Sequence, residues 1–187
     1  MLEGLVPAFA LVALSEFGDR SQLAAMLLGA RFRKHHAAVF LGALCGFALL
    51  FFLSVIFASV VAEFVQLAHL KLVSAGAFVV MGLYIIMSND SKEVSVKRGK
   101  GPFIASFSLV AFSELGDKTQ LAVMVLAASM HDPAGVFLGS LAAVALLTFP
   151  AVYIGKHVAQ KVPLKTIKTV SGIVFIAFGI AMLAGAL

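Results

Sequence analysis

Four stretches of the chain, Ala37 to Ala62, Leu72 to Asn89, Pro133 to Gly155 and Thr169 to Leu187, contain no Asp, Glu, Lys or Arg. Each is long enough, or nearly so, to cross the hydrocarbon core of a bilayer as an α-helix, which takes about 20 mostly apolar residues. Two more, roughly Gly4 to Gly29 and Pro102 to Ala128, match them in length and apolarity, but each holds three charged residues near its middle. In chain order the pattern predicts an all-α integral membrane protein of six transmembrane helices, the first and fourth carrying charge inside the membrane.

The polar segments between these spans predict orientation. Arg31, Arg33 and Lys34 follow the first span; Lys92, Lys97, Arg98 and Lys100 follow the third; Lys156, Lys161, Lys165 and Lys168 follow the fifth. The other connections hold Lys71 alone, and the tails hold no basic residue. Basic loops stay in the cytoplasm, so both termini are expected outside, with the central segment inside.

A duplication underlies the pattern. The segment from Phe9 to Met26 aligns without a gap with Phe107 to Met124, and after a one-residue slip Val39-Phe-Leu-Gly matches Val136-Phe-Leu-Gly, while Gly82 matches Gly179. Residues 1–88 and 102–187 are therefore two three-helix repeats joined by a cytoplasmic linker, 89–101. Three is odd, so the second repeat enters the membrane from the opposite face. This 3+3 inverted-topology repeat is an architecture of secondary transporters, whose sites form near the midplane where the halves meet.

Composition agrees. With 61% hydrophobic and 12% charged residues, the chain lies outside the range of soluble domains, which are about 45–50% apolar and about 25% charged. A soluble catalytic domain is excluded. The net charge of +5 is explained by the basic loops and gives no reason to expect nucleic acid. One cysteine, Cys45, allows neither an internal disulfide nor a thiolate metal cluster. The N-terminal stretch carries Glu3 where a signal peptide would be basic, and is not expected to be one.

The charges of the first and fourth spans sit in the repeated motif, Ser15-Glu16-Phe17-Gly18-Asp19-Arg20-Ser21-Gln22 and Ser113-Glu114-Leu115-Gly116-Asp117-Lys118-Thr119-Gln120. A charge at the bilayer centre costs about 2.5–3.5 kcal/mol on insertion scales, so six of them imply function. On a continuous helix, Glu16, Asp19 and Arg20 would share one face with Ser15 and Gln22. Gly18 and Gly116 would permit close approach or a local break. If the motifs face each other, four carboxylates, two glutamine amides and up to four hydroxyls converge. Their four acids and two bases leave a charge of minus two, the complement of a divalent cation. Oxygen donors alone favour a hard ion such as Ca²⁺, Mn²⁺ or Mg²⁺. Glu16, Asp19, Gln22, Glu114, Asp117 and Gln120 are thus the candidate ligands. Ser15, Gly18, Arg20, Ser21, Ser113, Gly116, Lys118 and Thr119 are expected to support them. Met26 and Met124, one turn further on, read as core residues.

The duplicated Glu-x-Gly-Asp-(Lys/Arg)-(Ser/Thr) resembles the signature of the cation/proton exchanger family that includes the Golgi manganese/calcium transporter of eukaryotes and bacterial manganese exporters. The resemblance implies export of Mn²⁺, or of Ca²⁺ as the alternative, in exchange for protons, with Glu16, Asp19, Glu114 and Asp117 at the site. It also implies a bacterial inner-membrane location and no cofactor beyond the transported ion. The expected partners are that ion, protons and the lipid bilayer. A passive cation channel is a lesser alternative. An intramembrane aspartyl protease needs Gly-x-Gly-Asp, and here its first position is Glu16 or Glu114, so no enzyme is expected.

Overall fold

The computed structural model describes residues 2–64, 67–87, 101–130, 132–158 and 164–184. They form eight helices and, among the described residues, no strand: α1 (Leu2–Glu16), α2 (Arg20–Arg31), α3 (His36–Phe64), α4 (Leu67–Met87), α5 (Pro102–Ser113), α6 (Lys118–Ser129), α7 (Pro133–Val158) and α8 (Leu164–Leu183). The linker expected at 89–101 lies, but for Gly101, outside the described residues.

Eight helices replace the six expected, because the first and fourth spans are each cut in two. The shared polar helix face expected across each motif is therefore not formed. At about 1.5 Å per residue, the 15 residues of α1 and the 12 each of α2, α5 and α6 fall short of the roughly 30 Å hydrocarbon core. Only end to end does a pair reach that length. Two helices contain segments clearly long and apolar enough to cross alone, His36–Val60 and Pro133–Tyr153. α4 and α8 begin earlier than their charge-free stretches, since the backbone stays helical through Lys71 and through Lys165 and Lys168.

The repeat equates α1 with α5, α2 with α6, α3 with α7 and α4 with α8. Packing follows these equivalences across the two halves. α1 and α2 lie against α7 of the second repeat, α5 and α6 lie against α3 of the first, α3 meets α7, and α4 pairs with α8. The copies interlock around a main core, in which Leu11, Phe47, Phe51 and Phe78 pack with Val110, Leu126, Val144 and Phe175, and a smaller one around Leu28, Val39 and Val152. The outer faces are apolar too: Leu72, Val73, Val80, Leu83, Tyr84 and Met87 of α4 are all exposed. A surface of that kind suits lipid and not water.

Glycine sets the closest approaches. A Cβ on Gly42 would collide with the carbonyl oxygen of Phe103, and a Cβ on Gly139 with that of Leu5. Gly42 and Gly139 are repeat counterparts, as are Leu5 and Phe103, so one contact is built twice. Small residues at such crossings let helix backbones meet where lipid offers no hydrophobic drive to association.

The start of α1 is also fixed electrostatically. Asp132, buried just before α7, accepts the N–H of Gly135 at 2.9 Å and that of Gly4 at 3.3 Å. The Gly135 bond chiefly, with help from Gly4 and against the effect of burial, holds the carboxyl below its ordinary value of 3.8.

Two predictions follow from this packing. Gly42→Leu or Gly139→Leu should each destabilise the detergent-solubilised protein by about 1–3 kcal/mol through overpacking, read as a fall in unfolding midpoint. Gly76→Ala, where a Cβ meets nothing within 4 Å, should not. Because the Asp132 carboxyl titrates lower in the folded than in the unfolded chain, its contribution is complete above the ordinary carboxylate range and disappears as pH falls through the folded value. Asp132→Ala should therefore lower stability at neutral pH, and the gap from the parent should close in acid.

Candidate metal site

Each motif folds as a turn between two half-helices. The N–H of Asp19 bonds the carbonyl of Glu16 at 3.1 Å, and the N–H of Asp117 that of Glu114 at 3.0 Å. The third residue of each four-residue turn is the glycine, with φ of 73° at Gly18 and 78° at Gly116, the left-handed region that side chains resist. Asp19 and Asp117 then precede the first residues of α2 and α6. Three positions later a glutamine reaches back: Gln22 Oε1 accepts the N–H of Gly18, and Gln120 Oε1 that of Gly116, each at 2.6 Å. This is a capping box displaced by one residue, and it satisfies an amide that the interrupted helix would otherwise leave without a bond.

The breaks bring four helix ends together. The N-termini of α2 and α6 carry partial positive charge and favour ionised carboxylates, while the C-termini of α1 and α5 carry partial negative charge and favour a cation. One oxygen each from Glu16, Asp19 and Asp117 lies within 4.8 Å of the others. Two ligands on opposite sides of a Ca²⁺ ion, each about 2.4 Å from it, would be about 4.8 Å apart, so the spacing is within reach of one hard cation. The carboxylates come from both repeats. Lys118 Nζ bonds Asp19 across the repeat interface and contacts Asp117 Oδ2 at 3.3 Å, placing an ammonium between the two aspartates.

Hydroxyls complete the environment of Glu16, which is 3% exposed. Ser21 Oγ donates to Oε2 at 2.7 Å and Thr119 Oγ1 donates to Oε1 at 2.5 Å. Ser15 Oγ lies 2.7 Å from Thr119 Oγ1. Since Thr119 has one hydroxyl proton and gives it to Glu16, Ser15 is the donor in that pair.

The candidate residues thus divide. Glu16, Asp19 and Asp117 come together. Glu114 is also buried but lies outside that group of three, with Ser113 Oγ 3.4 Å from its Oε1. Gln22 and Gln120 each point an amide oxygen at the glycine of their own turn. Ser15, Ser21 and Thr119 join the cluster, whereas Ser113 bonds within its own helix end, to Val110 and Glu114. The side chain of Arg20 lies outside the described residues. Met26 packs with Ala25, Leu28 and Val39, and Met124 lies against the main core. Reading the motif as one helix face missed the capping role of the glutamines. The signal was present, since Gly-Asp-x-x-Gln is a glycine turn followed by an N-cap and its N3 partner.

Each repeat thus stops a helix at a charged turn, and acids from both copies meet at one point. Comparison names the family: residues 4–93 and 102–187 match the divalent cation/proton antiporter GDT1 family, and the chain belongs to it. This is a family of transporters and not of enzymes. Among its relatives, a Vibrio cholerae protein named "Putative manganese exporter" is 36% identical over 174 residues, covering 91% of this chain and 85% of that one. A GDT1-like protein of Synechocystis is 27% identical with 96% of both chains covered, and GDT1-like protein 5 of Oryza sativa is 29% identical with 96% and 94% covered. No solved structure matches the chain significantly.

Because nothing lies within 4 Å of a Cβ built on Gly116, Gly116→Ala tests the turn conformation free of any clash. Holding alanine in the left-handed region should cost about 1–2 kcal/mol, lowering the unfolding midpoint where Gly76→Ala does not.

Proposed function

We propose that this protein exports Mn²⁺ from the cytoplasm in exchange for protons, through a cation site built from Glu16, Asp19 and Asp117. The observation that carries the proposal is the meeting of these three carboxylates, drawn from both repeats, at the junction of two interrupted helices. The family, the naming of the Vibrio relative and the oxygen-only donors support the ion class. Thioether and imidazole donors, which softer metals would favour, do not enter the group.

In this reading the six spans form a 3+3 inverted repeat in a bacterial inner membrane, with both termini outside and the basic loops in the cytoplasm. A divalent ion arriving from the cytoplasm takes the place of the Lys118 ammonium between Asp19 and Asp117 and draws on Glu16. Four acids against Arg20 and Lys118 leave the motifs at minus two, so a divalent ion brings them to neutrality. Protons from outside then compete for the same oxygens and release the ion, because ligation requires the carboxylates deprotonated. The two fluxes are coupled by sharing one seat. Glu114 serves the opposite half of the cycle, and Gln22 and Gln120 hold the turns that aim the acids. Ca²⁺/H⁺ exchange is the second reading, since the donor set suits Ca²⁺ equally and the 4.8 Å spread accommodates its longer bonds.

Proteoliposomes loaded with a pH-sensitive dye test this directly. Mn²⁺ added on the cytoplasmic face should drive proton movement in the opposite direction. Asp19→Asn or Asp117→Asn should weaken Mn²⁺ by roughly a hundredfold, about 2.8 kcal/mol, and Glu16→Gln should abolish exchange. Metal flux indifferent to a proton gradient would establish a passive channel instead, and Ca²⁺ outcompeting Mn²⁺ would establish the second reading.

A further inference from the structure

The repeat supplies a mirror image for every bond at the site, and the hydroxyl bonds are not mirrored. The counterparts of Ser21→Glu16 and Thr119→Glu16 would be Thr119→Glu114 and Ser21→Glu114, and the counterpart of Ser15→Thr119 would be Ser113→Ser21. In the structure both motif hydroxyls, one from each repeat, donate to Glu16. A hydroxyl has a single proton, so neither Ser21 nor Thr119 can donate to both glutamates at once. The observed set and its mirror image exclude each other.

Exposure follows the same asymmetry. Ser15 is 3% exposed and Gly18 half-buried, while their counterparts Ser113 and Gly116 are exposed. At the intervening position Phe17 is 46% exposed and Leu115 67%. The turn whose glutamate holds both hydroxyls is the more covered at these three positions, although both glutamates are buried, Glu16 at 3% and Glu114 at 5%. Ser113, the counterpart of the buried donor Ser15, is withdrawn onto its own helix end.

We propose that the Ser21–Thr119 hydroxyl pair is the two-position switch of the site: it closes the first motif by holding Glu16, and in the opposite conformation transfers to Glu114, sealing the second motif and opening the first. The inference deepens the antiport reading above and rests on it for its purpose, though not for its test. Ser15 stabilises the conformation seen here, and Ser113, whose contacts here are long at 3.4 and 3.5 Å, chiefly stabilises its mirror image. Because hydrogen bonds to neighbours of such sites are worth about 1 kcal/mol, deleting either shifts the balance by roughly fivefold, in opposite senses.

Hydrogen–deuterium exchange of the purified, metal-free full chain reads this balance. Amides at 15–19 exchange when the first motif opens, so their rate reports the population of the mirror conformation. Ser15→Ala should speed that exchange roughly three- to tenfold. Ser113→Ala, 98 positions away in the repeat, should slow it by a similar factor, an effect that local loosening at the second motif does not produce. Exchange at 15–19 left unchanged or accelerated by Ser113→Ala overturns the switch, and it does so even if Ser15→Ala fails to fold. In proteoliposomes the two variants should move the apparent Mn²⁺ affinity at a given face in opposite directions. If the parent protein moves no divalent metal, the antiport reading fails while the exchange rates still decide the switch.

Discussion

An interrupted helix in an apolar setting must satisfy its own backbone, and the site depends on how this chain does so twice. Water would bond the amides and carbonyls exposed at a helix end, but hydrocarbon does not. Each motif therefore carries its own remedy: a turn closed from Asp to Glu, a glycine that accepts the left-handed conformation, and a glutamine whose amide oxygen returns to the glycine N–H. The acids can stand at a helix junction because the junction around them is already hydrogen-bonded.

The same interruption governs the electrostatics. An unbroken helix would spread Glu16, Asp19 and Arg20 along one face and point no dipole at them. Ending α1 and starting α2 there aims one negative and one positive helix end at the carboxylates, and the second repeat contributes another pair. Lys118 bridges the aspartates of the two halves, so part of the site's negative charge is offset across the repeat interface. Interlocked packing, α1 and α2 on α7 with α5 and α6 on α3, means that neither repeat can move at the site without sliding over the other. The paired glycine contacts at Gly42 and Gly139 are where that sliding would be most constrained.

Much of this was legible beforehand. The long helices α3 and α7 agree with their charge-free stretches to within a few residues, because apolar length is a property of composition that no neighbour alters. α4 and α8 were delimited too narrowly, since a lysine near a helix end ends a charge-free run without ending the helix. Family membership was legible from the duplicated motif. The breaks were open only as one of two readings of Gly18 and Gly116, because a run of apolar residues looks alike whether or not a four-residue turn interrupts it, although Gly18, Asp19 and Gln22 spell out a stop and a start in order.

The sequence alone determined that this is an apolar helical chain, that it is duplicated, and that acids, amides and hydroxyls recur at equivalent places in its two copies; these follow from residue identity and spacing. Tertiary structure decided which equivalent residues are used equivalently. Glu16 and Glu114 are interchangeable in the repeat, yet one gathers with Asp19 and Asp117 under two hydroxyls and the other lies outside that group. A single hydroxyl proton serves one acceptor at a time, so with both hydroxyls given to Glu16 neither is left for Glu114, and only the packed fold shows which side was taken.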